Sequence, residues 1–274
     1  MSRDRSQAGG GKRFDFGTNW SRFLKTLSDG QISLAEKSLQ EILSPATLSG
    51  RSFLDVGSGS GIFSLAARRM GAKVHSFDYD SRSVGCTKEL RQRYFPGDSS
   101  WVVEQGSALD EEYLAGLGKF DVVYSWGVLH HTGEMWRALD HVSALVANGG
   151  QLVIAIYNDQ GLKSRYWKAV KRTYNRTLVG KVLMLLVHLP YLYGLRALVR
   201  RLKGQPALRR GMSVWHDAID WIGGYPFEVA KPEEVFDFMT DRGLVLRKLS
   251  TCGGRMGCNE FVFSMGHANM TKAS

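Results

Sequence analysis

Cysteine is scarce in this chain: Cys86, Cys252 and Cys258 are the only three, with no Cys-x-x-Cys pair among them. An odd count without close spacing excludes a disulfide framework and indicates no metal site. Long apolar runs are missing too. The uncharged stretch from Val182 to Leu195 is fourteen residues long and is interrupted by Pro190, short of the roughly twenty apolar residues a spanning helix needs. The first thirteen residues are polar, basic and glycine-rich with no apolar centre. No secretory leader is therefore expected, and the reading is a cytoplasmic protein with a flexible segment 1–13.

Acids are nearly absent from one region. Between Tyr157 and Gly211 thirteen Lys and Arg face a single acid, Asp159, an excess larger than the net charge of +10 of the whole chain. The basic character therefore belongs to one segment, and the remainder is close to neutral. With 274 residues and 43% hydrophobic content, the chain suits one packed domain carrying a sizeable insertion.

What is present begins with Phe53-Leu54-Asp55-Val56-Gly57-Ser58-Gly59-Ser60-Gly61. A short apolar strand ends in an acid and then in three glycines at alternate positions, and helix-like sequence follows from Ile62 to Met70. Glycines let the backbone turn sharply and approach a ligand without a Cβ in the way, and the helix start offers free N–H groups. Two common phosphate motifs do not match. Ile62 stands where a third dinucleotide glycine belongs, and no Lys-Ser or Lys-Thr closes the loop.

Further elements follow at regular spacing. Ala72 to Asp78 reads as a second strand closing on an acid, seventeen positions past Gly61. Trp101 to Gln105 is a third strand, followed by Gly106, Ser107 and Ala108; Phe120 to Trp126 is a fourth, continued by Gly127 to His131. A helix from Glu134 to Val146 leads to Asn148-Gly149-Gly150 as a stop, and Gln151 to Tyr157 is a fifth strand.

This succession resembles the class I S-adenosylmethionine (SAM) methyltransferases over residues 50–157, motif I of that family reading hydrophobic-Asp-hydrophobic-Gly-x-Gly-x-Gly. The resemblance implies an α/β, Rossmann-like, seven-stranded mixed sheet and S-adenosyl-L-methionine as cofactor. Asp55, Gly57, Ser58, Gly59 and Gly61 are expected to hold its methionine end and Asp78 its ribose. Tyr79 is expected to pack on the adenine, with Ser107 and Ala108 beside it; Ser107 replaces the acid usual in the family. Ser125 and Trp126 are expected to border the methionine part and the methyl. The activity implied is transfer of a methyl group to oxygen or nitrogen of a small-molecule or lipid-like acceptor.

The family's last helix and closing hairpin come late: Pro232 to Arg242, Leu244 to Ser250 and Glu260 to Met265, the last strand antiparallel. The domain reading is thus 14–157 and 231–274 for the core, with 158–230 as a helical cap for substrate. Leu162 to Tyr174 alternates bases with apolar residues at helical spacing. The Val182–Leu195 stretch reads as a buried cap helix. A second reading is interfacial, with Arg196, Arg200, Arg201 and Lys203 flanking an apolar face and allowing peripheral membrane contact. Nucleic acid is not the expected partner, because apolar residues dominate between the bases, although an RNA or protein acceptor docked on the basic cap stays open as the alternative. A non-catalytic SAM-binding module is a further rival, opposed by the intact motif I with Asp78.

Candidate acceptor-side residues complete the reading. His131 and His130 follow strand four, where the methyl should emerge; histidine titrates near neutral pH, so either could serve as a base, His131 first, and the other reading is a packed structural residue. Tyr157 and Asn158 close strand five. The run from Trp215 to Glu228 offers His216, Tyr225 and Glu228, either lining a pocket or anchoring the cap by packing. Phe14 to Trp20 either folds over the cofactor or staples a helix.

Overall fold

The computed structural model describes residues 13–43, 47–195, 214–255 and 257–266. Seven strands form one sheet in the order β3-β2-β1-β4-β5-β7-β6. They are β1 (Ser52–Val56), β2 (Lys73–Asp78), β3 (Trp101–Gln105), β4 (Phe120–Trp126), β5 (Val146–Tyr157), β6 (Leu244–Ser250) and β7 (Cys258–Met265). All neighbours are parallel except β7, which runs antiparallel between β5 and β6. The seven-stranded mixed sheet expected from the sequence is present.

Helices cover both faces because the central strands are apolar on both sides, as parallel strands between two helical layers must be. One face packs α1 (Phe16–Leu24), α2 (Asp29–Ile42), α3 (Ile62–Arg69) and α4 (Ser81–Tyr94) on side chains such as Phe53, Val122 and Tyr124. The other packs α5 (Glu111–Ala115), α6 (Met135–Ser143) and α10 (Pro232–Thr240) on Leu54, Val123, Leu152 and Phe263. Each such fully buried side chain contributes roughly 1.5–3 kcal/mol of transfer free energy. α10 starts with Pro232 in its first turn, where a missing N–H costs nothing, and Gly243 follows its end at φ +78°.

Between β5 and α10 lie α7 (Leu162–Arg176), α8 (Leu178–Leu189), a turn of π-helix (Pro190–Leu195) and α9 (Val214–Gly223). Trp167, Val170, Tyr174, Leu192, Ala218, Ile222 and Phe227 form their own apolar cluster, and Phe14 and Tyr157 join it to the rest. Arg196, Arg200, Arg201 and Lys203 lie outside the described residues.

One boundary differs from the sequence reading. Asn148-Gly149-Gly150 does not stop a helix; α6 ends at Ser143, and β5 begins already at Val146. Phe120 pairs with Val146, then Val122 with Gln151, so the extra residues loop out of register between these pairs. Gly150 packs against the carbonyls of Phe120 and Asp121, where a Cβ would lie 3.0 and 3.1 Å from them.

Candidate active site

The glycine loop joins β1 to α3. Gly57 (φ +78°), Gly59 (φ +56°) and Gly61 (φ +81°) all adopt left-handed conformations, which a Cβ disfavours. Space is equally restrictive: a Cβ on Gly57 would stand 2.3 Å from Val128 Cγ1. That contact fastens the loop to the turn after β4. Trp20, reaching over from α1, lies 3.0 Å from the corresponding point on Gly59. Of the two readings of the Phe14–Trp20 segment, the fold shows α1 lying over the loop.

Asp78 ends β2 directly beside this loop. Its Oδ2 accepts from Gly59 N–H and its Oδ1 from Asp80 N–H, both at 2.9 Å. Burial is the largest influence on it, raising its pKa to about 6 against the opposing backbone hydrogen bonds. A carboxylate offers about four lone-pair sites, and the backbone N–H groups of Gly59, Asp80 and Tyr79 all bear on this one, so one acceptor position remains for a ribose hydroxyl. The loop and Asp78 therefore fit the ribose end of the expected nucleoside. Tyr79 follows on the surface, with the Arg13 guanidinium 4.8 Å above its ring. Ser107 turns its Oγ to Leu109 N–H at 3.1 Å, while buried Ala108 gives its carbonyl to His141 Nδ1 at 3.0 Å. The Ser107 carbonyl accepts from Asp110 N–H at 3.1 Å, so the hydroxyl, which acts as acceptor toward Leu109, is the group that keeps a proton to donate.

Asp55 corrects the sequence reading. Its carboxylate does not reach the ligand side but is buried under α3, accepting from Ser64 Oγ at 2.5 Å. Ser76 donates to Ser64 at 2.8 Å, and Trp101 Nε1 donates to Ser76 at 2.9 Å. The alternation of β1 explains this: Phe53 and Asp55 face the α3 layer, and Leu54 and Val56 face the other. Burial drives the Asp55 pKa up to about 7, opposed by the Ser64 hydrogen bond and assisted by the charge of Asp78. Ser58 also turns inward, its Oγ 2.9 Å from Thr87 Oγ1. Ser125, likewise, donates to the Val56 carbonyl at 3.0 Å inside the sheet, so it ties β4 to β1 and does not border a ligand with its side chain. Trp126 sits at the β4 tip, its indole donating to Glu260 Oε1 at 3.3 Å.

The two histidines part company. His130 is fully buried; its Nδ1 accepts from Tyr157 N–H at 3.3 Å, and its ring lies 3.9 Å from that of Tyr157. Burial holds it well below its ordinary pKa. It is a packing residue that orients the end of β5, and the catalytic expectation for it is corrected. His131 instead bonds through Nδ1 to the Pro226 carbonyl at 2.6 Å. A carbonyl only accepts, so Nδ1 carries the proton and Nε2 is left as the acceptor. Phe16 and Tyr157 flank its ring at 4.9 and 5.5 Å. Burial, then the nearby Lys171 charge, lower its pKa to about 3 despite the Pro226 bond. His131 is thus neutral at physiological pH, with Nε2 as its acceptor nitrogen.

The remaining acceptor-side expectations fall out differently. Glu228 Oε2 accepts from Gly133 N–H at 2.9 Å and Met135 N–H at 3.1 Å, satisfying the open end of α6. Asn158 accepts from Asn259 at 3.1 Å and donates its N–H to Gly257. Both residues fasten chain segments through these bonds. Tyr157 is packed by Trp221 at 5.3 Å and Phe227 at 5.2 Å, and the crevice it shares with Asn158, Trp167 and Gly257 encloses only about 10 Å³. Of the two readings for the Trp215–Glu228 run, anchoring by packing is therefore the one realised at Trp221, Phe227 and Glu228. Tyr225 accepts from Phe14 N–H at 3.0 Å through its carbonyl. His216 falls on α9, but its side chain lies outside the described set.

Two residues were not singled out by the sequence. Arg13 donates to the carbonyls of Thr132 at 2.6 Å and His131 at 3.3 Å, strapping the N-terminal segment across the histidine turn. Lys171 is fully buried, donates to the Trp221 carbonyl, and lies 4.8 to 5.8 Å from the rings of Phe227, Trp221 and Tyr157. A signal for it existed: Trp167, Val170, Lys171 and Tyr174 share the buried face of α7, as their spacing of three and four requires.

Comparisons with known proteins bear on this arrangement. A family model described as a methyltransferase domain matches residues 29–204. A tRNA U34 carboxymethyltransferase from Methylococcus capsulatus is 34% identical over 110 residues, 40% of this chain and 33% of that protein. A ubiquinone biosynthesis O-methyltransferase from Brucella ovis is 31% identical over 115 residues, 42% of this chain and 44% of the relative. The chain thus spans less than half the length of these curated relatives. Among solved structures, a magnesium protoporphyrin IX methyltransferase from Synechocystis PCC 6803 with bound S-adenosylhomocysteine (SAH) shares the fold. Its TM-score is 0.54 at 17% identity, over 91% of this chain and 94% of that one.

Proposed function

This chain belongs to the methyltransferase-domain family, and from that premise we propose that it is an S-adenosylmethionine-dependent methyltransferase whose acceptor is a small or lipid-like molecule methylated at oxygen or nitrogen. The observation that carries this reading is His131. Val128, whose side chain crowds Gly57, leads directly into the histidine turn, and the His131 ring lies 4.9 Å from Phe16 and 5.5 Å from Tyr157, which supports placing its Nε2 on the acceptor side. An aromatic-walled corner with one hydrogen-bond acceptor suits a compact hydroxyl or amine.

When bound, the cofactor supplies an electrophilic methyl on a sulfonium. Asp78 would accept a ribose hydroxyl, the backbone of Gly57 to Gly61 would pass under the methionine end, Tyr79 and the Ser107–Ala108 segment would border the adenine, and Trp126 would stand near the methyl. His131 Nε2 would accept the acceptor's O–H or N–H and hold its lone pair in line with the methyl, the displaced proton passing to water as the new bond to the methyl forms. Positioning of this kind can supply most of the acceleration for a reaction that needs little covalent help from the protein. The relatives named O-methyltransferases support oxygen as the atom.

The rival reading is an RNA acceptor, supported by the relative that acts on tRNA and by the basic row on α7. Incubation of the purified protein with methyl-tritiated SAM and fractionated cell extract separates the two. Label in the organic-soluble or small-molecule fraction is expected; label confined to RNA or protein would overturn the proposal. His131→Ala is expected to lower kcat about 10–100-fold with little change in KM for SAM. At saturating SAM the kcat–pH profiles of wild type and His131→Ala should have the same shape between pH of about 5 and 8, whereas a break near the ordinary histidine pKa present in the wild type and absent from the variant would return His131 to the role of base.

A further inference from the structure

A surface helix normally shows a polar side to water and an apolar side to the core. α8 does not. Its inner positions, Gly180, Met184, Leu185, His188 and Leu189, are buried or half-buried, with His188 bonded to Tyr166 at 2.7 Å. Its outer positions, Leu178, Val179, Val182, Leu183, Leu186 and Val187, are all exposed, Leu178 and Val179 by 77% and 78% and Leu186 by 70%. They recur at i, i+1, i+4, i+5, i+8 and i+9 and so form one stripe. Tyr191, exposed by 56%, extends it.

Within residues 160–195 the charges have one sign. Arg165, Lys168, Arg172 and Arg176 form an exposed row along α7, which packs against α8; Lys163 stands at its start and Lys181 inside the stripe. No acid occurs from Gln160 to Leu195. At twelve residues and about 1.5 Å each, α8 is far shorter than a bilayer core, and none of the described helices is long and apolar enough to cross one.

We propose that the α7–α8 hairpin docks this protein on an anionic lipid surface, with the α8 stripe entering the headgroup boundary and the α7 bases meeting the lipid phosphates. Apolar exposure combined with flanking bases is the composition of helices that lie in the membrane plane. A second copy of this chain suits the patch less well, since an isologous contact would set the same bases against one another. RNA would satisfy the bases but leave the stripe in water. The inference does not depend on which acceptor is methylated.

Co-sedimentation of the full chain with sonicated vesicles tests this. Equimolar phosphatidylcholine and phosphatidylglycerol should retain the protein at least about tenfold better than phosphatidylcholine alone, with the difference shrinking as salt rises. Leu183→Glu/Leu186→Glu should reduce retention by about tenfold or more, and Lys168→Glu/Arg172→Glu should remove the preference for the anionic lipid. SAH affinity and far-ultraviolet circular dichroism should be unchanged in both, since these side chains face solvent. No retention on either vesicle, equal retention on both, or undiminished retention of the leucine variant would overturn the proposal. So would a wild-type dimer in analytical ultracentrifugation that the leucine variant dissociates, because the stripe would then be covered by a second copy.

Discussion

Replacing Asp55 by Asn should change how stability depends on pH. The carboxyl is buried beneath α3 with a pKa raised from 3.8 to about 7, chiefly by burial. Its folded pKa lies above the unfolded one, so between the two values the native state holds a proton that the unfolded chain has released. Stability therefore falls as pH rises through that window, by about 1.4 kcal/mol per pH unit. Above about pH 7 both states are ionised and the full penalty applies, about three pH units' worth or ~4 kcal/mol. Asn keeps an oxygen for Ser64 Oγ–H but carries no charge. Urea denaturation followed by tryptophan fluorescence at intervals from about pH 4 to 9 would give the difference between variant and wild type. That difference should grow in favour of Asn with rising pH and level off above about pH 7. A pH-independent offset could have either sign and decides nothing; the slope decides. Parallel curves would refute a buried, proton-holding Asp55.

Other perturbations act at single contacts. Gly57→Ala should abolish SAM binding and destabilise the fold, given φ +78° and a Cβ 2.3 Å from Val128; adding Val128→Ala should recover part of the stability in thermal melts, and no recovery would place the strain elsewhere. Glu228→Ala should cost ~1–2 kcal/mol in denaturation by freeing two N–H groups at the α6 start, with SAH affinity retained in calorimetry. A lost affinity with unchanged stability would make Glu228 a ligand residue after all.

The glycine loop and the succession of strands and helices along the chain were legible in the sequence because backbone conformation dictates them. A left-handed turn demands glycine, and strand–helix alternation demands apolar runs of fixed length. Side-chain partners were less legible, since they depend on which face of a strand meets which helix. Asp55 and Ser125 read as ligand residues from their place in motifs, yet the pleat turns both inward. Glu228 stands ninety-five positions from the Gly133 N–H it binds, a pairing that no local pattern announces. The reach of β5 back to Val146 was hidden by Asn148-Gly149-Gly150, which carries the composition of a helix stop but serves as a bulge.

Calorimetric titration of S-adenosylhomocysteine into the wild type and into Asp78→Ala is the most direct test of a nucleoside held between the glycine loop and the tip of β2. A ribose hydroxyl hydrogen bond to an ionised carboxylate predicts binding at least about tenfold weaker in the variant, and wild-type affinity that declines as pH falls through about 6, where Asp78 takes up its proton. Equal affinities in the two proteins, or no heat with the wild type at all, would contradict the account.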